Sequence, residues 1–374
     1  TDFSENGPRL LLMGSIAAEQ GNFQQADDYF AQARLCYENE GLTQNADYAK
    51  VFEKIAEAHR LAQDFAQAKQ ALALGRKALG YEFDVARSAN LPPLLSPYNR
   101  GPLLENLQQT AKIYQSEFAQ YPQASESRLH AWNSLQLAVD LIDSMRLSFR
   151  SHGAKALLHE KYFPIYDAAI GLAWQNYQQD QDPKWLEKAF TISERNKSML
   201  LFEALRDHQA QRFAGIPDTI LQRERRLSLD LALAEKRLFE MNQEDKEALI
   251  NVRREMLSLR NEYDAFVASL EQRFPSYYNL KYAPQVVSLP QIREQIAQSG
   301  EAWISYFLGE EFAYTFVIEG DELSWTQLAA SAQIFQQVEA LREALQQNES
   351  SAHALGEVSY QLFEQLLAPL GDLP

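Results

Sequence analysis

PRLLLMGSIAAEQGNFQQADDYFAQARLCYE, residues 8–38, sets small residues against aromatic ones at helical spacing. Gly14, Ala17, Gly21-Asn22-Phe23, Ala26, Phe30 and Ala33 stand where two antiparallel helices would touch. Small residues let the backbones approach, and Phe23 and Phe30 fill the space around the contact. A second unit follows at 47–80, with Ala58, Phe65, Ala68, Leu72 and Gly75 in the matching places. Phe23 to Phe65 is 42 residues (65 − 23), so the helix pair is longer than the common repeat of about 34.

Outward from these two units the pattern is punctuated rather than continuous. LPPLLSPYNRGP (91–102) breaks the helices with four prolines, and periodicity returns over 103–118 and 126–149. Residues 155–178 and 183–208 make another pair, joined by QDQDPKWLEKAF, so the reading is four helix pairs with a degenerate third. From 217 the spacing changes. Ile220, Leu227, Leu231, Ala234, Leu238 and Met241 form one apolar stripe, with Glu224 in the skipped place. After the polar turn NQEDK (242–246) come Leu249, Val252, Met256, Leu259, Tyr263, Phe266 and Leu270. Two such stripes around a tight turn predict an antiparallel coiled-coil hairpin that Pro275 ends. SYYNLKYAPQVVSLPQ then predicts a loop or short strand, and 291–299 a helix closed by Gly300.

Three strands are expected at 302–308, 312–318 and 322–328, with Gly309 and Gly320-Asp321 in their turns, then helices near 331–348 and 353–368. Ile304, Tyr306 and Leu308 share one face of the first strand, with Trp303 and Phe307 opposite. Phe312, Tyr314, Phe316 and Ile318 share a face of the second, with Ala313 and Val317 opposite. Strands apolar on both faces need cover on both sides. Two following helices cover one face only, so the other cover is expected from the helical arm, another chain, or sequence past Pro374.

Bulk properties narrow the function. The chain has 374 residues, 46% hydrophobic and 23% charged, with a net charge of −16. That charge argues against nucleic-acid binding, which relies on Lys and Arg against phosphate; Arg223, Arg225 and Arg226 read as a solvated helix face. It suits a basic or neutral protein partner. Cys36 is the sole cysteine, which fits a reducing cytosol and excludes an internal disulfide. The apolar runs are too short and too charged for a membrane span, and the N-terminus lacks signal-peptide character. The first residue is Thr, which reads as a trimmed fragment.

The parts stand in the order of a known family. SERNKSMLL (193–201) resembles the "ERxKSxxL" helix of bacterial TPR–CHAT proteins, carried here by Glu194, Arg195, Lys197 and Ser198. RFAGIPD (212–218) resembles that family's entry to its long hairpin. The aromatic meander and YQLFEQLLAPL resemble the opening of its caspase-like domain. The resemblance covers roughly 155–374, with weaker tetratricopeptide-repeat (TPR) character upstream. It implies a mostly α fold in three parts: a TPR-like α-solenoid over 1–216, the antiparallel coiled-coil hairpin over 217–274, and a partial α/β, caspase-like portion with a three-stranded meander over 275–374. The family's peptidase chemistry needs a thiolate, a histidine and backbone donors for the oxyanion. Its His-Gly and Ser-Ala-Cys-like motifs do not occur, and the chain ends at Pro374 before the place where they would come. The expectation is a non-catalytic, cytoplasmic arm that regulates a cysteine peptidase. The alternative is an assembly scaffold that oligomerises through the hairpin, to be tested by charge substitutions at Leu231 and Val252.

Individual candidates are weighed against plainer roles. Cys36 reads as a helix-packing thiol, and His152-Gly153 as a turn between helices. His152 and His159 are seven apart with no third ligand, so no metal is expected. Glu310-Glu311 and Asp27-Asp28 read as turns or solvated faces, and Gly7, Gly14 and Gly21 as helix packing or a turn rather than a phosphate loop. Asn196-Lys197-Ser198 and Asn348-Glu349-Ser350 match a glycosylation pattern that carries little meaning in a cytosolic chain. No cofactor and no catalytic residue is assigned. The partner-binding candidates are Lys50, Glu53, Glu57 and Arg60, at steps of three and four along the first helix of the second pair. That helix would line a groove for a protein or peptide ligand. The plainer reading is a charged face with internal ion pairs. Arg195 and Lys197 are weaker candidates for touching the sheet-bearing portion.

Overall fold

A computed structural model describes residues 3–88, 90–92, 99–148, 152–197, 216–240, 246–281, 288–346 and 352–371. It is mostly helical, a solenoid-like stack of helices followed by a small open antiparallel sheet. Its contacts divide into two compact units, Thr1–Met145 with Gly171–Gln179, and Arg146–Ile170 with Asp180–Pro374.

In the first unit α1 (Phe3–Glu19) packs on α2 (Phe23–Asn39), and α3 (Ala46–Leu61) on α4 (Phe65–Ala78). The small residues act as the spacing requires. A Cβ on Gly14 would lie 2.5 Å from the ring of the buried Phe30, and one on Gly7 would lie 3.0 Å from Tyr37. Gly21 takes a left-handed turn at φ +78° between the helices. Phe23 and Phe65 both open the second helix of their pair. Asn45 and Asp64 cap α3 and α4 by accepting the amides of Tyr48 and Gln67. Ala56, Phe65, Ala68, Ala71 and Leu72 form one core cluster with Ile113 of α5 (Arg100–Gln120).

The α4–α5 contact also contains a buried cation. Arg76 donates to Asn106 Oδ1 at 2.9 Å and to Thr110 Oγ1 at 3.2 Å, and Asn106 donates onward to the Leu72 carbonyl. Burial lowers the guanidinium to about 10, so it stays charged at neutral pH. α6 (Ser125–Ser148) joins α5 through the Tyr114–His130 ring contact at 5.1 Å and the Ser127 hydroxyl, which donates to Glu117.

The second unit contains part of α7 (His152–Asp180), α8 (Pro183–Lys197) and the hairpin α9 (Asp218–Glu240) and α10 (Lys246–Arg273). Leu227, Leu231, Tyr263, Phe266 and Leu270 are buried as the two stripes require, while the side chains of Leu238, Met241 and Leu249 lie outside the described residues. Arg237 bridges to Glu255 across the hairpin at 2.7 Å. Glu224 is buried, and its carboxylate accepts the Tyr277 hydroxyl. Tyr277 belongs to α11 (Pro275–Lys281), which corrects the expected loop or strand at its start. Pro275 opens this helix, where a missing N–H costs nothing. His152 likewise opens α7 rather than lying in a turn.

After α12 (Leu289–Ser299), closed by Gly300 in a left-handed conformation, come β1 (Ala302–Leu308), β2 (Phe312–Glu319) and β3 (Glu322–Ala330). They pair antiparallel in the order β1-β2-β3, with Ser305 opposite Phe316 and Phe316 opposite Trp325. Both faces are covered. On one, Phe163 of α7 stacks on Phe307 at 5.6 Å, and Phe190 of α8 meets Phe316 edge-on at 5.7 Å. On the other, Ala313 and Leu328 pack with Ile334 of α13 (Ser331–Gln346) and Leu366 of α14 (Ala352–Leu366). The cover the strands needed thus includes helices that precede them in the sequence. No helix among the described residues is long and apolar enough to cross a membrane.

Candidate functional site

The four groove candidates lie on one charged face of α3 but in unequal states. Arg60 grips Glu57 through two hydrogen bonds, each 2.7 Å, in the fork geometry a guanidinium offers a carboxylate. Lys112 of α5 approaches the same carboxylate at 3.5 Å. Partial burial pulls the Glu57 carboxyl upward, but the bond from Arg60 and the charge of Lys112 hold it below its usual value. Half of the face is therefore neutralised internally, as the plainer reading expects. Lys50 is exposed.

Glu53 differs. Burial pushes its carboxyl up to about 7, and Glu105 of α5 adds to the effect against the opposing charges of Lys50 and Lys54. A carboxyl poised near neutrality between two helices can respond both to pH and to the charge of an incoming group.

The second constellation joins α8 to the sheet. Lys197 donates to Ser305 Oγ and, at 3.0 Å, to Glu194 Oε1; the Ser305 hydroxyl donates to the same Glu194 oxygen at 2.6 Å. Glu194 and Lys197 come from the ERNKS stretch, and Ser305 is a polar residue inside β1. Ser305 is 5% exposed, and its hydroxyl both accepts and donates within the triangle. A serine nucleophile needs an exposed oxygen and a free base. This one is a fastening, and it gives the weak expectation for Lys197 a defined contact; Arg195 is partly buried nearby, and Ser198 lies outside the described residues. The β1–β2 turn is fixed to α7 in a similar way. Asp167 accepts the Glu310 amide at 3.2 Å, and a Cβ on Gly309 would come within 2.1 Å of Asp167 Oδ1. Burial, followed by the neighbouring Glu310 and Glu311 charges, raises the Asp167 carboxyl despite that hydrogen bond.

Sequence reasoning missed Ser305 and Asp167. The signal for Ser305 was there: one hydroxyl in the apolar run AWISYFL, on the face that carries Trp303 and Phe307. Nothing local marks Asp167. The remaining candidates stay plain. Cys36 is a partly exposed free thiol. His159 packs edge-on against Phe163, and burial lowers its imidazole. The side chain of His152 and most of RFAGIPD lie outside the described residues. Among the described residues no cluster of His, Cys, Asp or Glu could hold a metal ion. Comparison with protein families, with curated proteins and with solved structures finds no match to this chain.

Proposed function

We propose that this chain is a non-catalytic, protein-binding regulatory arm of the TPR–CHAT kind, which takes a protein or peptide partner on the first-helix face of its repeats. The observation that carries the reading is the Glu194–Lys197–Ser305 triangle. It fastens the last repeat-like helix to the first strand, so a displacement of α8 is transmitted to the sheet rather than absorbed by a loop. Partner binding then acts by biasing the arrangement of that junction.

The test is selection of displayed random peptides on the whole chain. Selected peptides are expected to be rich in lysine or arginine and to bind at least about tenfold more weakly to Glu53→Gln, which removes the charge and keeps the shape. Failure to select any peptide, or peptides indifferent to all four α3 positions, refutes the groove.

A second reading, assembly through the hairpin, has its own support. Leu229 and Leu257 are 60% and 58% exposed on the outside of α9 and α10. Leu231 is 2% exposed and belongs to the hairpin interior, so a charge there would test folding instead of assembly. Light scattering of the double variant Leu229→Glu, Leu257→Glu decides the matter. A wild-type oligomer that becomes a folded monomer supports assembly; a wild-type monomer removes it.

A further inference from the structure

Helix α14 has two unlike sides. Leu362 is buried, and Leu366 packs with Ala313 and Leu328 of the sheet. On another side Tyr360 is 62% exposed, Phe363 48% and, just past the helix, Leu367 39%. The Leu367 amide still donates to the Phe363 carbonyl at 2.9 Å, so helical spacing extends to that residue. The Tyr360 and Phe363 rings stack with their centres 6.4 Å apart. One turn before Tyr360 stands Gly356, exposed, where an added Cβ would meet no atom within 4 Å. Glycine inside a helix weakens it, and no packing among the described residues is gained in return. Gly356, Tyr360, Phe363 and Leu367 follow one another at steps of four, three and four, the spacing of a coiled-coil seam. Glu357 and Glu364, a heptad apart and both exposed, flank it at equivalent places. The Tyr360 hydroxyl is hydrogen-bonded to Glu364, which keeps that carboxylate at the seam's edge.

We propose that this stripe docks an amphipathic helix of another protein, apolar along its own seam and basic beside it. The spacing fits a helix, because steps of three and four match the ridges of a helical partner and not the two-residue repeat of a strand. The missing side chain at Gly356 lets the partner come close to the α14 backbone, and the aromatic pair gives it an apolar anchor. Glu357 and Glu364 hold the flanking places at which charge selects a coiled-coil partner, so they draw lysine or arginine. A second copy offers only Glu357, Glu364, Ser359 and Leu366 beside its seam, none of them basic, and brings a further net charge of −16. The same carboxylates disfavour an anionic membrane surface. The partner face proposed on α3 belongs to the other unit, so the two stand or fall separately.

The whole chain is titrated with three helical peptides of about four heptads each. One has leucine along the seam and lysine beside it, one leucine and glutamate, and one serine and lysine. The readout is local: an environment-sensitive dye on the exposed position Gln361→Cys, in a Cys36→Ala background that removes the other thiol. The leucine–lysine peptide is expected to change the dye signal saturably and to bind about tenfold more tightly than either of the others. Glu357→Lys with Glu364→Lys is expected to invert the order, making the leucine–glutamate peptide the tighter ligand. Tyr360→Ala with Phe363→Ala, both at exposed positions, is expected to abolish binding with no change in the unfolding midpoint. Absence of saturation, equal binding of the serine–lysine peptide, or an order that the charge reversal leaves unchanged overturns the proposal. Glu53→Gln is expected to leave this signal as in the wild type, and its loss there would place the peptide on α3 and overturn the proposal as well. A wild-type oligomer in light scattering that Tyr360→Ala with Phe363→Ala dissociates would assign the stripe to a second copy and overturn the basic partner.

Discussion

Glu53→Gln is expected to leave stability unchanged at pH 4 and to raise it by about 2–3 kcal/mol at pH 8. The folded chain holds the Glu53 carboxyl at about 7 against an ordinary value of 4.5. The folded state therefore binds this proton more tightly than the unfolded one, and stability falls as pH rises from 4.5 through 7. A difference of 2.5 (7 − 4.5) corresponds to about 3.5 kcal/mol at roughly 1.4 kcal/mol per unit, reduced to about 2–3 kcal/mol by the side chain's partial exposure. Glutamine keeps the shape and removes the charge. Urea unfolding of both proteins from pH 4 to pH 8 measures the difference directly. A gap that does not widen with pH would mean that Glu53 ionises freely and that its burial against Glu105 is not felt.

The same penalty bears on partner binding. A lysine or arginine placed between Glu53 and Glu105 would relieve the repulsion and draw the carboxyl down, releasing a proton on binding. Glu57 offers no such opening, because Arg60 and Lys112 already hold it. If the α3 face takes a partner as proposed, the part with free energy to offer is its Lys50–Glu53 end, and a cationic partner would be favoured there. This agrees with the acidity of the whole chain, which steers basic segments toward it at low salt.

What the sequence makes legible divides along the range of the interactions. Gly14 under Phe30 and the interior leucines of α9 follow from spacing within one helix or one helix pair. Strand alternation sets Phe307 opposite Leu308 within one strand and Phe316 opposite Ala313 within the next; which face of one strand matches which face of the other comes only from the pairing, which brings Phe307 and Phe316 together. Glu224 was visible only as an interruption of a stripe; its reason, the Tyr277 hydroxyl, is 53 residues away. The state of Glu53 depends on a carboxylate from another helix, and the Glu194–Ser305 contact on a strand 111 residues away. Neither has a period that a linear reading can detect. Pro275 reads as a stop for the hairpin, yet a proline is equally a start when a helix follows it, as α11 does.

Lys197→Met is expected to lower the stability of the second unit by roughly 2–3 kcal/mol, and Glu194→Gln combined with it to recover most of that loss. The Glu194 side chain is 12% exposed, so removing the lysine strands a largely desolvated carboxylate that keeps, among the described residues, the Ser305 hydroxyl as its donor. Glutamine at 194 needs no counter-charge and can still accept from Ser305. A double-mutant cycle therefore separates the pair from its surroundings: coupling above about 1 kcal/mol identifies the ion pair as the fastening, and additivity would show that the two side chains act alone. Hydrogen exchange adds the location. If the triangle ties α8 to the sheet, amides of β1 lose protection in Lys197→Met, while those of α1–α4 do not. Uniform loss across both units would mean that the substitution lowers global stability and that the junction has no mechanical role. Local loss confined to α8 and β1 would identify the joint through which a partner on the repeats could act on the sheet.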